Sequence, residues 1–223
     1  MASSGAATAR GTLQPPTATG RTGQATRRPT GITVASTPSS PPRARTVQVD
    51  DSQGAVLVKG LDFDSTLSKA DSAVLPSSGS YTITGDALTI AGNKLTATVE
   101  DASNKATVAS IIKDGTQDGK AVAGTLDKEG AGRLVLSGAN SYTGGTTINQ
   151  GTLEGTTANF GTGAVNVAQA GTLDLNQGSD ATFGNQLTGN GTFDKDGAGH
   201  SDQSRVTTAA LQARPTSTRA PCW

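Results

Sequence analysis

Two carboxylates stand two residues apart in the first half of the chain, at Asp62 and Asp64, directly after an apolar run over 55–61. Carboxylates in such pairs serve enzymes as nucleophiles and as general acids or bases. Thr66 completes the spacing D-x-D-x-T. A match this short arises readily by chance in a chain rich in Ser, Thr and Asp, so an exposed acidic turn is the competing interpretation.

This segment resembles the first motif of the haloacid-dehalogenase-like phosphatases. The resemblance implies that Asp62 attacks phosphorus and that Asp64 acts as acid and base beside a magnesium ion. Lys113, with Asp114 or Asp118, could stand for the later motifs. That fold requires strands alternating with helices, however, and no window shows sustained helical periodicity. We therefore keep the phosphatase as the weaker alternative.

A second acidic segment, Asp114–Gly119, combines two aspartates with two glycines and so invites a calcium site. It fits neither the EF-hand loop pattern nor the glycine-rich nonapeptide that binds calcium in β-solenoids. We interpret it as an ordinary turn.

The sequence lacks the combination of residues that would activate a catalytic nucleophile. His200 is the only histidine and Cys222 the only cysteine, so no triad can form in the middle of the chain and no internal disulfide is possible. No glycine cluster has the spacing of a phosphate or dinucleotide loop. We predict no catalytic, metal-binding or cofactor-binding residue, no cofactor, and no enzymatic activity.

The composition is poor in the residues that fill a globular core. Apolar residues make up 33% and aromatic residues 3% of the 223 residues, and there are 29 glycines. A compact globule would bury too little apolar surface on this composition. A narrow solenoid needs only one or two small aliphatic side chains per strand. No stretch approaches the ~18 apolar residues of a membrane helix.

Charge divides the chain into three segments. Residues 1–45 carry six arginines and no acidic residue, residues 46–199 carry a net charge of −8, and residues 200–223 carry +2. The first segment is rich in Arg, Pro, Ser and Thr, has no hydrophobic periodicity and lacks a secretory apolar run, so we expect it to be disordered or translated out of frame. It has no aromatic residue for base stacking, and we expect no nucleic-acid partner.

The last segment breaks the pattern of the middle. Where a further apolar strand is expected, the chain continues from His200 with polar residues and ends in Pro221-Cys222-Trp223. The codons for 215–223 can be chosen so that another frame encodes a strand and a Gly-Thr-Leu corner. We therefore interpret 200–223 as an out-of-frame or disordered tail.

Internal repeats dominate the middle segment. GTLDKEGAG at 124–132 returns as GTFDKDGAG at 191–199, with seven of nine positions identical. A Gly-Thr-Leu/Phe corner recurs at Gly124, Gly151, Gly171 and Gly191, and the last three of these corners are evenly spaced. A spacing of roughly 20–30 residues indicates a solenoid whose units bury their apolar faces on one another.

The clearest repeat, within 124–199, resembles the autotransporter-associated β-strand repeat, G-x-L-x-L-S-G-x-N-x-Y-x-G-x-T-x-I-x-x-G-x-L. The matching positions are Gly132, Leu134, Leu136, Ser137, Gly138, Asn140, Tyr142, Gly144, Thr146, Ile148, Gly151 and Leu153.

The resemblance implies an all-β fold, with residues 46–199 as a fragment of a right-handed parallel β-helix. It further implies a structural or adhesive part of the passenger of a type V-secreted bacterial surface protein. The expected partners are ligands on host or neighbouring cells. The parent would be held by an outer-membrane β-barrel that this chain lacks. A non-functional frameshifted or truncated gene product is the alternative.

The alternation of side chains predicts which residues face inward. Leu134/Leu136, Val165/Val167 and Leu173/Leu175 lie two apart, so each pair faces one side of its strand, and we predict that they form the stacked interior. Tyr142 and the threonines near it, Thr143, Thr146 and Thr147, are expected at or near the outer surface.

Overall fold

The computed structural model describes residues 32–35, 45–63, 79–117, 119–199, 201–202 and 212–215. These residues form strands and turns, with no helix among them. The strands are β1 (Ile32–Ala35), β2 (Arg45–Val49), β3 (Val56–Val58), β4 (Gly60–Asp62), β5 (Ser80–Gly85), β6 (Leu88–Ile90), β7 (Lys94–Thr98), β8 (Lys105–Val108), β9 (Ile112–Lys113), β10 (Gly115–Gln117), β11 (Lys120–Val122), β12 (Thr125–Glu129), β13 (Arg133–Leu136), β14 (Gly145–Gly155), β15 (Val165–Asn176), β16 (Ala181–Thr182), β17 (Leu187–Gly189), β18 (Thr192–Asp196), β19 (Ser201–Asp202) and β20 (Gln212–Pro215).

Parallel pairing between successive turns of the chain gives a coil with three faces. Face A stacks β4, β7, β12, the first half of β14, the first half of β15, and β17. Face B stacks β2, β5, β8, β13, the second halves of β14 and β15, β18 and β20. Face C pairs β3 with β6 and β9, and further along it pairs β16 with β19. This arrangement confirms the predicted all-β parallel β-helix.

The register on face B measures the length of each coil. The equivalent positions in successive coils are Ser80, Lys105, Arg133, Thr152, Thr172, Thr192 and Gln212. From Arg133 onward these positions are almost evenly spaced, whereas the two earlier coils are longer. The predicted period, roughly 20 residues per coil, is confirmed for the later coils.

The first predicted corner is out of register with the others. Leu126 pairs with Thr146 on face A, whereas Leu153 and Leu173 pair with each other on face B. The counterpart of Leu153 in the preceding coil is Leu134. The longer step from Gly124 to Gly151 is therefore not a coil length, because one local sequence is used at two different corners of the coil.

The interior is a stack of aliphatic and aromatic side chains in register. On face B, Leu134 lies over Leu153, then Leu173, then Phe193, and each is at most 1% exposed. The three predicted interior pairs are all buried. Phe160 and Phe183 add an edge-to-face pair with ring centroids 6.0 Å apart. The prediction of the stacked interior is confirmed.

The predicted outer position of Tyr142 is wrong, as is that of Thr146. Tyr142 is fully buried and Thr146 is 2% exposed, and their hydroxyl oxygens are 2.6 Å apart. This mutual hydrogen bond removes the cost of burying two polar groups, so both can face inward. Burial raises the pKa of Tyr142. Thr143 is exposed and Thr147 is half-buried.

Asparagine side chains replace the missing strand ladder on part of face C. Asn140 accepts from the backbone N–H of Ile112 at 2.8 Å and donates to the Asn159 carbonyl at 2.6 Å. Asn159 donates in turn to the Gly138 carbonyl at 2.8 Å. Both asparagines are more than nine-tenths buried. These amides join successive coils where 137–144 and 156–164 form no strand.

The repeated Asp-Lys-acid-Gly sequence builds a corner around a lysine ammonium group. Lys128 Nζ donates to the carbonyls of Glu129 at 2.6 Å, Gly130 at 2.7 Å and Gln150 at 3.2 Å. Lys195 donates in the same way to the carbonyls of Asp196 and Gly197. Gly130 has φ 76° and Gly197 has φ 81°, which turns each corner. The repeat is therefore a structural device that satisfies corner carbonyls.

The domain boundaries predicted at residues 45 and 200 lie next to residues that the structure does not describe. Most of 1–45 and of 200–223 lies outside the described residues, so the disordered or out-of-frame origin of both segments stays a prediction. Within them, β1 pairs antiparallel with β2, and β20 pairs parallel with β18.

We predict that Leu173→Ala lowers the free energy of unfolding by ~2–5 kcal/mol, because Leu173 is fully buried and alanine would leave a cavity. Urea unfolding followed by circular dichroism measures this. Leu57→Ala is the matched control, since Leu57 is 63% exposed and its truncation should cost less than ~0.5 kcal/mol. Equal losses in the two variants would contradict the assignment of the interior.

We predict a pH dependence of stability from the Lys128 corner. Burial lowers the pKa of Lys128 from 10.5 to about 8 in the folded chain. Between those values the unfolded chain binds more protons, so the free energy of unfolding rises with pH through this window. Lys128→Met should lose this rise, as measured by urea midpoints from pH 7 upward. Lys120→Met, at an exposed lysine, should keep it. Parallel pH profiles for the wild type and Lys128→Met would refute the assignment.

Candidate functional site

A β-hairpin leaves the coil between faces C and A. Strands β10 and β11 pair antiparallel, from Gly115 opposite Val122 to Gln117 opposite Lys120. Thr125 pairs with Lys94 in the preceding coil and with Gly145 in the next coil. Thr125 is separated from Lys94 by more residues than from Gly145, because the hairpin lengthens the coil that contains it. It is thus an insertion into a coil whose ladder continues undisturbed on either side.

The carboxylate of Asp114 holds the base of this hairpin. Its Oδ1 accepts from the backbone N–H of Gly124 at 2.7 Å and of Thr143 at 3.0 Å, and its Oδ2 accepts from the Thr143 hydroxyl at 2.8 Å. Although burial opposes the shift, these hydrogen bonds lower the pKa of Asp114. Asp114 therefore ties both ends of the insertion to each other and to the following coil.

Two glycines let the hairpin stems press against the preceding coil. A Cβ at Gly115 would lie 1.8 Å from the Ile90 carbonyl oxygen, and one at Gly124 would lie 2.5 Å from Ile90 Cδ1. A side chain at Gly115 would require the backbone to move, and one at Gly124 would require the Ile90 side chain to shift. The hairpin is consequently fixed in position at its base.

A groove of about 630 Å³ runs beside the hairpin. It is lined by Leu57 and Lys59 near face C, by residues 91–94 and Thr96 of the next coil, and by Thr116 and Gln117 of β10. Its size lies within the ~300–1,000 Å³ range of small-molecule sites. The described residues that line it include two lysines, two side-chain amides and two threonines, and no carboxylate.

The two lysines of the groove differ in their partners. Lys94 forms an ion pair with Asp127, and its pKa is raised by the hydrogen bond to that carboxylate and by its charge. Lys59 is exposed and forms no salt bridge among the described residues. The Leu57 side chain, beside Lys59, is 63% exposed. The groove therefore offers an apolar contact next to an ammonium group.

A second charged group lies on face B, where Arg133 NH1 donates to Glu154 Oε2 at 2.8 Å and to Asp174 Oδ2 at 2.7 Å. Burial raises the pKa of Asp174 in spite of this hydrogen bond. Burial also opposes ionisation of Glu154, but hydrogen bonds from Arg133 and Asn176 lower its pKa. One arginine thus bridges carboxylates on two successive coils, which is a structural role.

The structure does not build a phosphatase site around Asp62. This residue lies in β4 with an exposed side chain, and Asp64 lies outside the described residues. Lys113 is half-buried in β9, and Asp114 is engaged at the hairpin base. The strand–helix alternation that would position the motif is missing, since the described residues contain no helix.

The described residues contain no cluster of side chains that could bind a metal ion. No group of three or more His, Cys, Asp or Glu side chains converges within the part of the chain that the structure describes. In the segment considered for calcium, Asp114 accepts hydrogen bonds from protein donors, and Asp118 lies outside the described residues. His200 and Cys222 also lie outside them.

Sequence reasoning did not identify the groove. A signal was available: the segment between the Ile112 strand and the next repeat contains Asp114-Gly115 and Gly119, with turn residues at both ends of a short polar stretch. The groove's other residues, Leu57 and Lys59, lie far from this segment along the chain. Only the register of the coils brings them together.

Among the described residues, no helix has the length and apolar character needed to cross a membrane.

Comparisons with known proteins agree with the repeat and the coil. Residues 126–154 match the family described as passenger-associated-transport-repeat. The adhesin BmaC autotransporter of Brucella suis biovar 1 (strain 1330) is 38% identical over 115 residues, which cover 49% of this chain and 3% of that protein. No solved structure matches the chain significantly. The predicted resemblance to autotransporter passenger repeats is confirmed, and the chain corresponds to a small part of that relative's length.

We predict that Asp114→Ala loosens the hairpin base, because three donors lose one charged acceptor. Hydrogen bonds to charged groups contribute ~1.5–3 kcal/mol each, so the amides of Gly124 and Thr143 should exchange with solvent at least about tenfold faster. Hydrogen–deuterium exchange measures this.

Asp62→Ala, at an exposed strand position, is the control for this experiment and should leave both exchange rates unchanged. In the wild type the same loosening should appear as the pH falls below the lowered pKa of Asp114, since protonation removes the acceptor. Unchanged exchange at Gly124 in Asp114→Ala would contradict the anchoring role.

Proposed function

We propose that this chain is a structural and adhesive module of the passenger of a surface-exposed or secreted bacterial protein. The observation that carries the proposal is the match of residues 126–154 to the passenger-associated repeat, which spans most of β12, β13 and β14, strands that stack in parallel on faces A and B. The similarity to an adhesin supports the same function. The coils serve as a rigid scaffold, and the segments that project from the stacked strands bind other molecules.

Non-enzymatic action is part of this proposal. The family description names a transport repeat and the relative's name an adhesin, and neither denotes a catalyst. Three charged side chains with more than one partner, Lys128, Arg133 and Asp114, are engaged with backbone carbonyls, carboxylates or backbone amides of the coil. Such engagement favours structural roles for them.

The partners we propose are ligands on the surfaces of host or neighbouring cells. A solenoid presents its turns and insertions along one axis, so each contact residue keeps a fixed place relative to the others. The hairpin at 115–122, anchored by Asp114, is such an insertion.

Adhesion of coated beads tests the function. Beads that carry the purified full chain should adhere to cultured epithelial cells or to bacterial cells several times more than albumin-coated beads. Beads carrying Leu173→Asp, which places a carboxylate in the interior and should unfold the coil, should lose this gain. Adhesion no better than that of albumin would refute the proposal. Magnesium-dependent phosphate release that Asp62→Asn abolishes would favour the phosphatase instead.

A further inference from the structure

We propose that the groove beside the hairpin binds an oligosaccharide that carries a carboxylate. The proposal rests on the adhesive function proposed above and names the class of ligand at one site. It combines the volume of the groove, about 630 Å³, with the chemistry of its lining and the fixed position of the hairpin.

The lining residues match the functional groups of a sugar acid. The side chains of Asn93 and Gln117 each offer an amide donor and an acceptor, and Thr96 and Thr116 offer hydroxyls. These groups can exchange paired hydrogen bonds with vicinal sugar hydroxyls. The exposed side chain of Leu57 gives an apolar surface for the C–H face of a sugar ring.

The charge of the groove selects an anionic ligand. Residues 46–199 carry a net charge of −8, so most of this surface repels anions. The groove is an exception among the described residues, because Lys59 and Lys94 line it and no described carboxylate does. Since Lys94 is paired with Asp127, Lys59 is the cation that would meet a ligand carboxylate.

An extended peptide fits this groove less well. Peptides that bind beside a strand need a run of unpaired backbone groups along its edge. Three strands line the groove. Strand β7 is paired on both sides, with β4 and β12, and β3 and β10 have three residues each. In β10, Gly115 is also pressed against the Ile90 carbonyl. Single-stranded nucleic acid would need aromatic side chains for stacking, and none of the described residues that line the groove is aromatic.

Titration of the full chain with 3′-sialyllactose and with lactose, followed by ligand-observed NMR, tests the assignment. The acidic sugar should bind and the neutral sugar should bind at least tenfold more weakly. Lys59→Gln should weaken binding of sialyllactose about tenfold or more, since it removes one charge-assisted hydrogen bond. Gln117→Ala should also weaken it, through loss of the amide.

Lys120→Gln is the matched control, because Lys120 lies on β11 and does not line the groove. It should bind sialyllactose like the wild type, and all variants should keep the wild-type urea midpoint. The proposal is overturned if no acidic sugar binds, if lactose binds equally well, or if Lys59→Gln binds like the wild type. Displacement of sialyllactose by a polyglutamate peptide would overturn the choice of a saccharide.

The bead assay separates failure of this inference from failure of the proposed function. If the Lys59→Gln variant no longer binds the sugar but beads coated with it adhere like the wild type, the groove does not contribute to adhesion. The proposal of an adhesive module is unaffected by that result. Beads that never adhere would refute the module while the sugar titration still reports on the groove. Inhibition of wild-type adhesion by free sialyllactose, but not by lactose, is the result expected if both proposals hold.

Discussion

Every coil of this protein can bury its interior only on the coils next to it. The column Leu134, Leu153, Leu173 and Phe193 shows the constraint directly, since each side chain is covered by its counterparts one register step away. Burying one such side chain contributes ~1.5–3 kcal/mol, which is too little to order a coil by itself. Stability therefore comes from repetition in register, and the low apolar content of the chain is sufficient because no wide core has to be filled.

In the same narrow interior, the polar backbone groups at each corner destabilise the fold unless they form hydrogen bonds. At a corner the ladder is interrupted and carbonyls turn inward, where an unpaired group costs ~1–3 kcal/mol. The chain meets this with side-chain donors: the buried Lys128 and the half-buried Lys195 at Lys-acid-Gly corners, and the buried Asn140 and Asn159 on face C. This explains why the most similar pair of repeats in the sequence is polar. This sequence recurs because carbonyl groups have to be hydrogen-bonded at each corner that it forms. The two copies lie at two different corners of the coil.

The sequence was sufficient to predict the strands, the coil period of the later turns and the aliphatic interior, because alternation and glycine corners are local signals. It was insufficient where burial depends on a partner elsewhere. Tyr142 faces inward because the Thr146 hydroxyl meets it, and Leu126 lies on face A because it pairs there with Leu95 of the preceding coil and Thr146 of the next. The groove was not predictable for a stronger reason: Leu57, Lys59 and Gln117 share it only through the register between coils.

The solenoid also determines where a new contact surface can arise without loss of stability. An insertion within a face would interrupt the ladder between that coil and its two neighbours, whereas one between faces leaves the register intact, as the pairing of Lys94 with Thr125 shows. The insertion must still be held, since a loose hairpin would lose conformational entropy on binding. Asp114 and the close approach at Gly115 supply that restraint. A fixed hairpin on a repetitive scaffold thus separates the residues that stabilise the coil from those free to change with the ligand.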